Sequence, residues 1–199
     1  MKTARKALLI ALCCVLLVTA SVLGTMAYLT SKTAVVTNTF SVGKVAITLD
    51  ETDVDLYGVK DGETRVTANT YKLLPGHTYT KDPIVHVTKG SEKSWLFVKV
   101  DDKIADIQDA TTVAAQMATN GWNAVDAAKY PGVYAYKETV DAREAAVDVP
   151  VFGTFKIKGT ADVSTYADMT ITVQAYAVQA DGFATAAAAY EAAPCTWGE

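Results

Sequence analysis

Few residues in this chain combine a reactive type with a productive spacing. Its two histidines, His77 and His86, are nine apart, His86 on an expected strand and His77 in the turn before it. A helical zinc peptidase site needs two histidines four apart on one helix face, and that arrangement is missing. No Gly-x-Ser-x-Gly elbow presents a serine nucleophile, and no glycine-rich loop offers a phosphate cradle. Cys195 lies close to the C-terminal end with no histidine nearby, so a thiolate there would lack its base. Asp50, Glu51, Asp53 and Asp55 supply the oxygen ligands calcium takes, but Gly58 and the next glutamate miss the calcium-loop positions. That run is expected to be a solvated loop at a strand end. Trp95, Trp122 and Trp197, with Tyr130, Tyr134 and Tyr136, offer aromatic faces that stack on sugars or pack in a core or interface. These residues nominate no catalytic group, no metal ligand set and no cofactor.

The elements that would position such groups begin with an address. Lys2, Arg5 and Lys6 precede an apolar run over residues 7–18, and small residues follow, among them Ala20, Gly24, Thr25 and Ala27. A basic start, an apolar middle and small residues before a cut are the parts of a secretory signal peptide. Cleavage is expected between Ala27 and Tyr28, with Thr25 and Ala27 filling the small pockets of a signal peptidase; a cut after Ala20 also meets the small-x-small rule. The alternative is an uncleaved anchor, because a helix over residues 7–27 would reach roughly 30 Å, enough to span a bilayer. Membrane contact is expected only through the uncleaved signal. Cys13 and Cys14 fall within the apolar run, so Cys195 alone remains after cleavage and no internal disulfide can form.

The full chain has 199 residues, 50% of them hydrophobic and 20% charged, which suits one globular domain behind the signal. Lysine and arginine total 18 against 22 aspartate and glutamate; three of the basic residues belong to the signal, so the mature chain carries −7. A nucleic-acid partner would call for a basic stripe, and none is present.

Alternation of apolar and polar residues predicts strands over 45–50 and 169–174. Leu96, Val98 and Val100 share a face of a third. Val149, Val151, Phe155 and Ile157 share a face of a fourth. Residues 83–88 and 132–139 are further strands. Asp61-Gly62 reads as a hairpin turn and Leu74-Pro75-Gly76 as another. Helices are expected over 110–119, capped by Asp109, and over 183–192, capped by Asp181 and lying thinly on the surface. Several short strands with turns between them predict a mostly β fold of sandwich or barrel type with short surface helices. The boundaries are a signal at 1–27, an extended segment at 28–40 and a β domain at 41–199.

The sequence Gly24-Thr25-Met26-Ala27-Tyr28-Leu29-Thr30, followed by Asn38-Thr39-Phe40-Ser41-Val42-Gly43-Lys44-Val45, resembles the TasA/camelysin family of exported proteins of Gram-positive bacteria. So do Leu74-Pro75-Gly76-His77-Thr78-Tyr79-Thr80-Lys81-Asp82, Pro150-Val151-Phe152-Gly153-Thr154-Phe155 and the stretch from Ala175 to Phe183. The resemblance implies a jelly-roll-like antiparallel β-sandwich, cut from its signal by a SipW-like signal peptidase and located in the extracellular matrix or on the cell surface. It further implies biofilm-matrix fibres in which the freed N-terminal segment of one subunit adds a strand to the next. That makes the partner another copy of the chain in a homopolymer, with accessory fibre proteins beside it. By position the donor is residues 28–40, with Ala34, Val35, Val36 and Thr37 as subunit contacts. The stretch is β-prone and free of glycine and proline, as a pairing edge requires. It can equally pair within its own sheet as a first strand. A structural, non-enzymatic subunit is therefore expected. The alternatives are a camelysin-like metallopeptidase, for which the zinc motif is missing, and a monomeric surface adhesin or carbohydrate-binding module.

Overall fold

The computed structural model describes residues 2–28, 42–109 and 111–198. The chain divides into two units, Met1–Ser41 and Val42–Glu199. In the first unit, helix α1 (Lys2–Tyr28) covers residues 2–27 of the expected signal, and the Thr25, Ala27 and Tyr28 positions fall in its last turns. Among the described residues, no helix is long and apolar enough to cross a membrane. The expected subunit contacts Ala34, Val35, Val36 and Thr37 lie outside the described residues.

The second unit begins with β1 (Ile47–Val54), β2 (Lys60–Val66), β3 (Thr78–Thr80), β4 (Ile84–Val87) and the long β5 (Ser91–Asp102). Helix α2 (Val113–Thr119) follows, then β6 (Trp122–Ala124), β7 (Val133–Tyr136), β8 (Val140–Ala142), β9 (Val147–Pro150) and β10 (Thr154–Lys156). Strand β11 (Ile171–Gln179) and helix α3 (Ala186–Ala192) complete it. One sheet has the order β2-β1-β4-β9, the other β11-β5-β7-β6 with β8 also on β5, and β10 pairs β3 separately. The strand pairs are antiparallel throughout. The fold is the expected jelly-roll-like antiparallel β-sandwich with short surface helices.

Alternation explains which residues fill it. Val85 and Val87 of β4 and Leu96 and Val98 of β5 are fully buried between the sheets, with Val149, Val151, Phe152, Phe155 and Ile157. Strand β5 is also buried on its other face, where Phe97 meets Tyr190 of α3 and Tyr176 of β11. Two covered faces account for its unbroken run Trp95-Leu96-Phe97-Val98, since a strand buried on one side only would alternate. Burial of Tyr190 gives α3 the apolar face that its alanines alone do not supply.

The structure corrects several local expectations. The run from Val149 to Ile157 is not one strand: β9 and β10 belong to different sheets, joined by residues 151–153. Asp61-Gly62 lies inside β2, and the hairpin turns earlier, where the Asp55 side chain accepts from the Tyr57 and Val59 amides and Gly58 takes φ 74°. Gly62 instead sits where the β1–β2 register shifts between Thr52↔Arg65 and Val54↔Lys60. Both helices start later than expected. Thr112 caps α2 and Thr185 caps α3, each hydroxyl accepting an amide three residues on. Asp109, the expected cap, is held by Lys156 at 2.8 Å.

Candidate functional site

A groove of about 950 Å³ lies between the two sheets. One wall is β11. Among the described residues β11 has β5 as its one hydrogen-bonded sheet partner, and β1 approaches its other side without pairing to it. Ile171, Val173, Ala175 and Ala177 point from β11 toward the core but remain half-exposed. Facing them is β1, which pairs β4 over Ile47–Asp50 and β2 only from Glu51 onward. Leu49 and Val66 therefore meet Ile171 and Val173 across the groove, and Ile104 and Phe155 also line it. On the opposite face of β11, the Gln174 amide exchanges two hydrogen bonds with the Gly198 backbone, so the C-terminal tail covers that side.

A strap between β2 and β3 forms the groove's other rim. Its turn is the expected one: the His77 amide bonds to the Leu74 carbonyl, and Gly76 takes φ 79°. What fastens it is Tyr79, fully buried and stacked on Phe155 at 4.8 Å. Its hydroxyl accepts from the Leu74 amide at 2.7 Å and donates to the Lys72 carbonyl at 2.6 Å. Tyr71 packs edge-on to both Tyr79 and Phe155 and donates to the Thr80 carbonyl. Burial, reinforced by the negative charges of Glu51 and Asp82, pushes the Tyr71 hydroxyl well above its ordinary pKa.

The groove lining also contains a polar cluster. Lys81 donates to Glu51 at 2.7 Å, with both side chains almost fully buried. Asn69 donates to the other oxygen of Glu51 at 3.0 Å and to the Thr52 carbonyl at 2.8 Å, while its own oxygen accepts from the Val54 amide at 3.1 Å. Behind it, on the outer face of the sheet, charges alternate across the strands. His86 bridges Asp148 at 2.6 Å and Asp50 at 2.9 Å; Arg65 pairs with Asp50 at 2.5 Å and with Asp82. Burial disfavours charge on both His86 and Asp50, but their mutual hydrogen bonds and neighbours outweigh it. The His86 pKa is held above its ordinary value and the Asp50 pKa below.

These contacts revise the acidic run. It is not a solvated loop: Asp50 and Glu51 are strand residues with their own cations, and Asp55 shapes a turn. Among the described residues, no group of three or more His, Cys, Asp or Glu side chains is arranged to hold a metal ion. The aromatic residues do not form one platform. Trp122 is buried against Tyr136 and donates to the Pro150 carbonyl, while Tyr130 and Trp197 pack around Tyr190. His77 meets the Tyr57 carbonyl at 2.9 Å, and Cys195 joins the cluster around Tyr190. Sequence reasoning did not single out Asn69 or Lys81 as site residues. A lone lysine and a lone asparagine thirty or fewer residues from a glutamate carry no periodic signal, and only strand pairing brings them together.

Comparison with models of known families, with curated proteins and with solved structures returns no match.

Proposed function

We propose that this protein is a secreted structural subunit, resembling the TasA/camelysin family, that forms extracellular fibres by strand addition. In this reading α1 is a signal removed after Ala27 by a SipW-like peptidase, and residues 28–40 of one subunit enter the groove of the next. The observation that carries it is the unpaired edge of β11 beside an apolar groove of about 950 Å³. An added strand would complete the ladder along β11 and cover its half-exposed inner face. The 9 residues of β11 give an edge of about 30 Å at ~3.3 Å per residue, within reach of the donor segment. Side chains of an entering strand repeat every two residues, so Val36 with Ala34, or Val35 with Thr37, would fill the apolar strip. Burying one valine contributes about 1.5–3 kcal/mol.

The test replaces both valines by aspartate, which puts a charge into the groove in either register. Mature protein should form fibres in electron micrographs, and the Val35→Asp/Val36→Asp variant should stay monomeric with an unchanged melting temperature. Fibres from the variant would overturn assembly through this segment. Loss of folding would make the segment a first strand of its own sheet.

A further inference from the structure

Glu51, Asn69 and Lys81 have the parts of a self-acylating site. A nucleophile needs a base, an electrophilic carbonyl needs an oxyanion donor, and a leaving group needs a proton. Glu51 touches both reacting nitrogens, Lys81 Nζ through one oxygen and Asn69 Nδ2 through the other. The Val54 amide donates to Asn69 Oδ1, where negative charge would develop on attack at Cγ. We propose that Lys81 and Asn69 become joined by an isopeptide bond, formed by the folded chain itself with Glu51 carrying the proton.

The reaction balances without any co-reactant. The Lys81 ammonium passes a proton to Glu51, which removes two charges from a site where they are costly. The neutral Nζ swings across the carboxylate and attacks Cγ, giving a tetrahedral centre whose oxygen is held by the Val54 amide. A second proton moves from Nζ to Nδ2. The Cγ–Nδ2 bond breaks, and ammonia leaves with the proton stored on Glu51 as ammonium. The carboxylate is restored, Lys81 and Asn69 share an amide, and nothing is oxidised or reduced.

Placement favours this over an ordinary ion pair. The Asn69 amide is oriented by three bonds to β1: the Thr52 carbonyl, the Val54 amide and Glu51. The Lys81 backbone is pinned by the Gly153 carbonyl at 3.1 Å. Lys81 is 9% exposed and Glu51 4%, so bulk water is largely kept from the nucleophile and its base, while Asn69 is half-buried beside them. The bond would close the strap carrying Tyr71 and the Pro75-Gly76 turn into a covalent ring along the groove. It would do so whether or not the groove accepts a strand.

Mass spectrometry of the purified full chain decides it. Trypsin should leave Lys81 uncut and yield peptide 66–72 joined to peptide 73–89, one ammonia lighter than the pair. Asn69→Asp should give the same joined peptides with one water lost instead. Glu51→Gln keeps both reactants and should give separate peptides of full mass, as should Lys81→Arg. Separate peptides from the wild-type protein, with cleavage after Lys81, would overturn the proposal. A joined product from Glu51→Gln would overturn the role of Glu51.

Discussion

Replacing Tyr79 by phenylalanine isolates one hydroxyl. The ring would keep its stack on Phe155 and its edge contact with Tyr71, because the phenylalanine ring fills the same space. What is lost is the pair of short bonds to the Leu74 amide and the Lys72 carbonyl. Each is worth about 1 kcal/mol net, and a fully buried orphan would cost more. Lys72 and Leu74 are exposed, so water can reach the freed groups once the strap loosens. The expected cost is therefore the net value of two bonds, about 2 kcal/mol. For a domain of this size that lowers the melting temperature by roughly 4–8 °C. Urea titration followed by far-UV circular dichroism should show a lower midpoint at unchanged slope, since the same surface is exposed on unfolding. A loss below about 0.5 kcal/mol would mean that the strap is held by packing alone and that the hydroxyl does not fasten the groove rim.

Two further outcomes follow from the same sheet. Gly58→Ala should destabilise by about 2 kcal/mol or more, because φ is 74° and a Cβ would stand 2.8 Å from the Tyr79 backbone; a neutral result in thermal unfolding would contradict the close approach of the hairpin turn to β3. For pH, His86 has a folded pKa above its ordinary 6.5, so its contribution is complete below 6.5 and fades as pH rises through the folded value. Asp50 works oppositely, contributing above its ordinary 3.8 and failing as pH falls through its lower folded value. The ladder should stabilise most between those two ordinary values. His86→Gln should flatten the alkaline fall in melting temperature, and an identical slope in both proteins would remove His86 from the account.

The strands of the sandwich were readable where one face is buried and the other wet. Residues 45–50 and 169–174 alternate cleanly, and both lie in or beside β1 and β11. Reading failed where long-range pairing overrides local pattern. Phe155 and Ile157 continue the apolar alternation of Val149 and Val151, yet the chain changes sheets between them. Asp61-Gly62 is a strong turn pair by type, but Asp55 offers two hydrogen bonds to a competing turn and wins. Asp109 lost the cap of α2 for the same reason, because Lys156 from β10 claims its carboxylate. The groove was invisible because an unpaired edge is defined by which strand does not arrive. Its polar cluster was half visible: the acidic run drew notice to Glu51, but the partners come from two loops that sequence spacing does not relate.

The position of β11 in the chain sets an order of events. It pairs residues roughly 70–85 positions apart in sequence, a non-local ladder of the kind that forms slowly. During synthesis residues 28–40 emerge early, whereas one wall of the groove waits for residues up to Gln179. A subunit that assembles by strand addition would thus be able to donate before it could accept. Polymer growth would be timed by completion of the fold, and a nascent chain could not close on its own leading segment before its last strand had docked.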